Sequence, residues 1–293
     1  MNLTQLKYFY AVCEYKTISK AAEHLYITQP SLSNAIKELE REFGVTLFIR
    51  RYKGIELTKE GETLLKMGKE LLNQLEHTEH IMKEMGKERK ILRLGIPPMI
   101  GSLILPDIYN DFLKKYTDIE IDITEGGQHE LESMLSDELL DMIFMPHKEM
   151  MKNNFSSFHV GKLEIVCCTS KNNHIGNCES VSPNDLSKVP IVLFKNSFFQ
   201  TDEIKKWFVE SGIQPEILLQ TDQVSTVKSI IKNNVAAGFL FRQLAVEEPD
   251  VFISKLEKDM YANVSLVWRK DCYFTESMKV FLDYIKNNST NLL

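Results

Sequence analysis

Between Ile18 and Gly61 the chain reads ISKAAEHLYITQPSLSNAIKELEREFGVTLFIRRYKGIELTKEG, a run that sets the order of four local structures. Ile18 to Leu25 places Ala21, Ala22 and Leu25 on one helical face, and the two alanines admit a second helix at short range. Thr28 offers a hydroxyl cap to that next helix, and Pro30 falls in its first turn, where a missing N–H breaks no intrahelical bond. From Gln29 onward, Leu32, Ile36, Leu39 and Phe43 form one core-facing stripe, ended by Gly44 at the left-handed position that stops helices. The opposite face carries Pro30, Asn34, Lys37, Glu38 and Arg41, with Ser31 and Ser33 on its flanks and Gln29 at its start. Short polar and basic groups of this kind reach base edges and phosphates. After Gly44 the alternating VTLFIRRYKGIELT predicts two short strands about a turn at Lys53 and Gly54, with Arg50, Arg51 and Lys53 at the tip. Helix, turn, helix and basic hairpin in that order predict a winged helix-turn-helix bound to duplex DNA.

A long helix should follow, from the cap Thr58 to about Gly86, with Glu60 and Glu62 at its electropositive start. Leu64, Gly68, Leu71, Leu75, Thr78, Met82 and Met85 recur at alternating intervals of four and three, a heptad seam. At 1.5 Å per residue such a helix spans about 43 Å, more than one small core requires, so the seam is expected to pair with a second copy. Two winged helices would then face DNA about one helical turn apart, on an interrupted inverted repeat. His77 and His80 lie on this helix at i and i+3, but without a third ligand the pair is read as solvated rather than metal-binding.

The overall charge of −6 is not that of a DNA binder, and its distribution explains why. Residues 1–90 carry 15 Lys and Arg against 13 acidic residues, net +2, which leaves −8 for the remainder. The basic character is local, so nonspecific attraction to DNA is confined to one end. Five cysteines, an odd number without a C-x-x-C pair, argue against a disulfide framework. The N-terminus lacks the pattern of an export signal, and no apolar stretch is long enough to span a bilayer. A cytoplasmic protein with no membrane contact is expected.

Beyond a hinge at Gly86 to Lys90 the pattern changes to strands alternating with helices, the signature of parallel α/β sheets. Strands are predicted at 91–96, 119–124, 142–145, 164–169, 190–194, 216–221, 236–241 and 263–268. Helices are predicted at 102–116, 128–136, 200–211, 224–233 and 275–288. Two lobes with chain crossings near Lys162 and Val264 follow, and such lobes bind ligands between strand ends and helix N-termini. The fold class expected is therefore α/β with an N-terminal winged helix-turn-helix. Its domains are 1–58 (DNA binding), 59–90 (linker helix and hinge) and 91–293, the last divided into lobe I (91–161 and 265–293) and lobe II (162–264).

The N-terminal residues resemble LysR-type transcriptional regulators. The resemblance is carried by Leu6, Phe9, Ala21-Ala22, Leu25, Thr28-Gln29-Pro30-Ser31-Leu32-Ser33, Ile36, Leu39-Glu40, Gly44, Leu47-Phe48, Arg50, Leu57-Thr58 and Gly61. It implies that Gln29, Pro30, Ser31, Ser33 and Lys37 meet the major groove, with Thr28 and Asn34 beside them. The wing residues Arg50, Arg51 and Lys53 would meet backbone or minor groove. The family often has Arg where this chain has Asn34. The C-terminal half resembles the effector domain of the same family, with two Rossmann-like subdomains of periplasmic-binding-protein type. That resemblance implies an effector cleft at Met99, Ile100, Gly101, Ser102, Gln128, Phe194, Lys195 and Ser225. The family's usual Pro after GFL is Phe241 here. A helix starting at Ser102 and a nearby Lys195 would suit a small carboxylate.

The partners expected are duplex DNA, a small-molecule effector, a second copy through the linker helix, a tetramer as is common in the resembled family, and RNA polymerase. No cofactor beyond the effector is implied. No G-x-S-x-G, H-E-x-x-H, P-loop or G-x-G-x-x-G is present, so no enzymatic activity is expected. The competing readings are a ligand-independent architectural DNA-binding protein and a small-molecule-binding protein without a regulatory role.

Overall fold

The computed structural model describes residues 1–52, 54–86, 90–148, 154–173, 175 and 178–292. It divides into two compact units, residues 1–80 and 81–293, the boundary falling inside the long helix.

The first unit contains helices α1 (Leu3–Tyr15), α2 (Ile18–His24) and α3 (Gln29–Phe43), then strands β1 (Phe48–Arg51) and β2 (Gly54–Leu57). Asn2 opens α1 with a reciprocal capping box to Gln5. Phe9, Val12, Ala21, Ala22, Leu32, Ile36, Leu39 and Leu47 make its core. Gly44 adopts φ +66°, the left-handed stop. Phe43 departs from the expected stripe: it is 50% exposed and takes no part in the core that Leu32, Ile36 and Leu39 join.

Helix α4 (Lys59–Met85) begins on Thr58, whose Oγ1 accepts from the Gly61 N–H at 2.9 Å. The heptad seam is used unevenly. Gly68 is buried against Leu6 and Tyr10, and Leu64 packs on the first unit's core, whereas Leu71, Met82 and Met85 are exposed, as is Met67.

In the second unit, β3 (Lys90–Ile96) pairs in parallel with β4 (Ile119–Glu125) and with β5 (Met142–His147). Between β3 and β4 runs α5 (Pro98–Asp107), continued by a π turn at Ile108–Phe112 and the short α6 (Leu113–Lys115). Pro106 cannot donate to the carbonyl of Ser102, and this interrupted ladder precedes the π turn. The expected helix start at Ser102 is therefore corrected to Pro98, the N1 position that proline favours. Helix α7 (Gln128–Ser136) covers β5 with Leu131 and Leu135.

The crossing near Lys162 lies inside β6 (Phe155–Ser170), a 16-residue strand much longer than the segment expected from 164 to 169. Beyond it come β7 (Ser180–Val181), β8 (Ile191–Phe194), α8 (Phe199–Glu210), β9 (Ile217–Thr221), α9 (Val224–Lys232) and β10 (Ala237–Phe241). The short α10 (Arg242–Val246) and β11 (Val251–Leu256) have no counterpart in the sequence prediction. The return crossing is β12 (Tyr261–Arg269), followed by α11 (Glu276–Leu292).

Strand order is β4-β3-β5-β12-β6-β10-β8-β9, with β11 on β6 and β7 on β11. The crossing strands β6 and β12 pair antiparallel with each other from Tyr261↔Glu164 to Arg269↔Phe155, with a register shift between Val264 and Ser265. Each lobe thus grows from one part of a shared ribbon. Among the described residues no helix is long and apolar enough to cross a membrane.

Two buried carboxylates tie the second unit's first lobe together. Asp141, 1% exposed at its side chain, accepts from the Arg93 backbone N–H at 2.8 Å and from its guanidinium at 2.5 Å. Glu84, near the end of α4, accepts from the Ser277 N–H at 2.9 Å and from its hydroxyl at 3.1 Å. A carboxylate on α4 therefore caps α11 and meets the positive end of its dipole.

Candidate functional site

The described structure offers two sites, one in each unit.

In the first unit, the exposed face of α3 presents Thr28, Gln29, Pro30, Ser31, Asn34 and Lys37, while Ser33 is half-buried. The N-cap is shared: Thr28 Oγ1 accepts weakly from the Ser31 N–H at 3.4 Å and lies 2.8 Å from the Ser31 hydroxyl. Gln29 is oriented from outside its own helix, for its Oε1 accepts from the Ser19 hydroxyl on α2 at 3.1 Å. That leaves the Gln29 amide nitrogen directed away from Ser19, a donor free for a base edge. Between the two helices Tyr26 takes φ +54° and stands 96% exposed.

The wing is tied to the helices through backbone. Glu40 of α3 accepts from the N–H groups of Leu47 at 2.7 Å and Phe48 at 3.3 Å. The Ile55 N–H donates to the Lys16 carbonyl at 3.1 Å, and a Cβ on Gly54, at φ +133°, would meet that same oxygen at 2.8 Å. Lys53 lies outside the described residues, and Arg50 is placed only as the strand partner of Ile55. Arg51 is exposed and pairs with Glu56 across the hairpin at 3.1 Å, so its charge is partly answered within the wing. Tyr52, fully exposed beside it, is an aromatic wing-tip group that charge-based reading passed over. Ser19 was equally missed, although a hydroxyl one helix before the cap is a local signal.

In the second unit, a cleft of about 780 Å³ opens between the lobes. Lobe I contributes Pro98 and Ser102 of α5, then Glu125, Gly126, Gly127 and Glu130 from the end of β4 and the start of α7. Lobe II contributes Lys195, Ser197 and Phe198 after β8, and Asp222 to Ser225 where β9 gives way to α9. Across it, the Gln128 N–H donates to the Ser197 carbonyl at 2.8 Å. Gly127 permits this approach, because a Cβ there would come within 2.4 Å of the Ser197 Cβ and 2.8 Å of its carbonyl oxygen.

The eight residues expected in the cleft divide. Ser102, Lys195 and Ser225 line it. Met99, Ile100 and Gln128 instead border, with Phe241, a small recess of about 10 Å³, roughly one water-sized probe sphere. Gln200, 6% exposed, also lines it and donates to the Met99 sulfur at 3.5 Å. Gly101 is buried under the Glu125 carboxylate, from which a Cβ would stand 3.2 Å. Phe194 is corrected to core: at 1% exposure its side chain packs against Phe198, and its carbonyl accepts from the Thr201 hydroxyl.

The electrostatics of the cleft also differ from expectation. Ser102 lies in the second turn of α5, and its hydroxyl bonds back to the Pro98 carbonyl at 3.0 Å. Lys195 is held by Asp222 at 2.5 Å, and this hydrogen bond lowers the Asp222 pKa. Glu125, Glu130 and Asp222 against Lys195 give the lining side chains a formal charge of −2. These acids sit where strands end and helices begin, the place where α/β sheets bind ligands, and that rule could have found them.

Comparison with known proteins bears on both units. The profile of the bacterial regulatory helix-turn-helix protein, lysR family, matches residues 3–62, and that of the LysR substrate binding domain matches residues 86–290. The chain is 26% identical to the uncharacterized HTH-type transcriptional regulator YwbI of Bacillus subtilis, over 98% of this chain and 96% of that one. It is 27% identical to the HTH-type transcriptional regulator CzcR of the same organism, over 97% of each. In fold it resembles full-length CbnR in complex with its target DNA, with a TM-score of 0.73 and 20% identity over 98% of this chain and 99% of that one.

Proposed function

This chain belongs to the LysR family of DNA-binding transcriptional regulators, and from that premise we propose that a small polar effector in the interlobe cleft controls how it sits on its operator. The observation that carries the proposal is the Gln128 to Ser197 hydrogen bond across a cleft large enough to hold a ligand. A ligand bound to both walls would stabilise one lobe arrangement over another, and its differential affinity is what shifts the population. Glu84, bonded to Ser277 at the start of α11, gives the first lobe a direct grip on the end of α4.

The exposed Leu71, Met82 and Met85 support dimerisation through α4. In the dimer two copies of the Gln29 to Lys37 face read an interrupted inverted repeat, and tetramer formation and contact with RNA polymerase in the cytoplasm belong to the same reading. A carboxylate as the sole recognised group loses its original support, since Ser102 does not start a helix and Lys195 is paired.

The test is footprinting on the DNA next to the protein's own gene, at fixed salt, with and without a metabolite extract. The expected result is a protected inverted repeat whose boundary moves with the extract. Protection that no small molecule alters would favour the architectural reading instead.

A further inference from the structure

The two walls of the cleft are chemically unlike. On lobe I, Glu125 ends β4 and Glu130 lies in the first turn of α7. The Glu125 carboxylate lies over Gly101 and that of Glu130 over Gly126, where a Cβ would come within 3.2 and 3.0 Å. Neither carboxylate has a cationic partner among the described residues. Two exposed carboxylates on one wall attract a cationic group on a ligand.

On lobe II, α9 starts at Val224 without a side-chain cap, since Gln223 Oε1 accepts from the Thr226 hydroxyl instead. The first backbone bond of that helix is from Val227 to the Gln223 carbonyl, which leaves the N–H groups of Val224 and Ser225 without intrahelical acceptors. Both residues line the cleft. This wall suits an anionic oxygen, while a second anion on the same ligand would face Glu125 and Glu130.

Resting on the reading of the cleft as the effector site, we propose that the effector is a small zwitterion of amino-acid type. Its ammonium group meets the wall formed by Glu125 and Glu130, and its carboxylate meets the N-terminus of α9.

The test is a thermal-shift and calorimetric panel on the full chain, using the L-amino acids, putrescine and succinate, repeated on Glu125→Gln and Glu130→Gln. Both acids are exposed, so the variants keep the fold. At least one amino acid is expected to raise the midpoint, and each variant to weaken its binding about tenfold, the loss of one charge-assisted hydrogen bond. Binding of succinate alone or of putrescine alone would overturn the zwitterion and leave the effector site standing. Amino-acid binding untouched by both variants would overturn the placement. No binding from any class would overturn this inference, and a footprint also unmoved by the metabolite extract would overturn the effector reading with it.

Discussion

The backbone N–H of Gln128 donates to the carbonyl of Ser197 at 2.8 Å, so the first turn of α7 on one lobe is fastened to the loop after β8 on the other. A helix N-terminus that would otherwise expose a free donor spends it on the opposite wall. The glycine before it makes the contact sterically feasible.

Gly127→Ala should therefore part the lobes. Its Cβ would collide with Ser197 backbone and side chain, an overpacking that costs about 1 to 3 kcal/mol unless the wall retreats. The expected outcome is a larger radius of gyration by small-angle scattering and an effector response reduced at least about tenfold. An unchanged scattering profile with normal response would show that the lobes do not meet there in solution.

Recognition by α3 should separate from its stability. Gln29→Ala is expected to weaken specific binding by about 1 to 3 kcal/mol, the worth of a good base contact, with the thermal midpoint unmoved. Ser19→Ala should produce a smaller loss of the same kind, because it frees the Gln29 amide to rotate. Fluorescence anisotropy on specific and scrambled duplexes at one salt concentration measures both.

Gly61→Ala should damage the first unit. A Cβ at that position would stand 2.3 Å from the Leu47 carbonyl oxygen, which is backbone and cannot swing aside. About 2 to 4 kcal/mol of destabilisation is expected, read as an earlier first transition in urea, with DNA binding falling alongside.

Removing the Glu84 carboxylate should uncouple α4 from α11. Glu84→Ala leaves the buried Ser277 N–H without its acceptor and costs about 1 to 3 kcal/mol. Operator affinity without effector should persist while the effector-induced change shrinks; an undiminished change in footprint would remove Glu84 from the coupling.

The cysteines should differ sharply in reactivity. Burial pushes the thiols of Cys13 and Cys168 up to about 12 and holds that of Cys167 well above its ordinary value, whereas Cys178 is exposed. At pH 8 iodoacetamide should label Cys178 first, followed by mass spectrometry, with Cys167 and Cys168 protected until unfolding. Because the folded state holds these protons more tightly, the stability they confer is complete below pH 9.0 and declines as pH rises toward 12. Early labelling of Cys167 or Cys168 in the native protein would contradict their burial.

Helix α3 was legible to the residue because its signals are local: the Thr28 cap, Pro30 in the first turn and Gly44 at the stop all act within the backbone they punctuate. Phe43 was misplaced because periodicity states which face a residue occupies, not whether another element extends far enough to cover it. The helix expected from Ser102 starts instead at Pro98, because a proline is as good a first residue as it is a poor interior one. The pairing of Lys195 with Asp222 spans 27 positions and depends on adjacent strands, so no local pattern revealed that the cleft's lysine was already engaged. Strand β6 was underestimated because its first half, FSSFHVGK, pairs as a ribbon with polar residues on both faces, and its length comes from a partner 100 residues away.

That ribbon governs how the lobes can respond. Had the crossings been slack loops, the lobes would swing freely and a ligand would contend with a broad ensemble. Because β6 and β12 pair with each other through the whole passage, twisting of the ribbon is favoured over free hinging, and the register shift between Val264 and Ser265 adds local bend and twist to it. Such a joint would act as an elastic element with a rest angle, so that an effector works against a restoring torque.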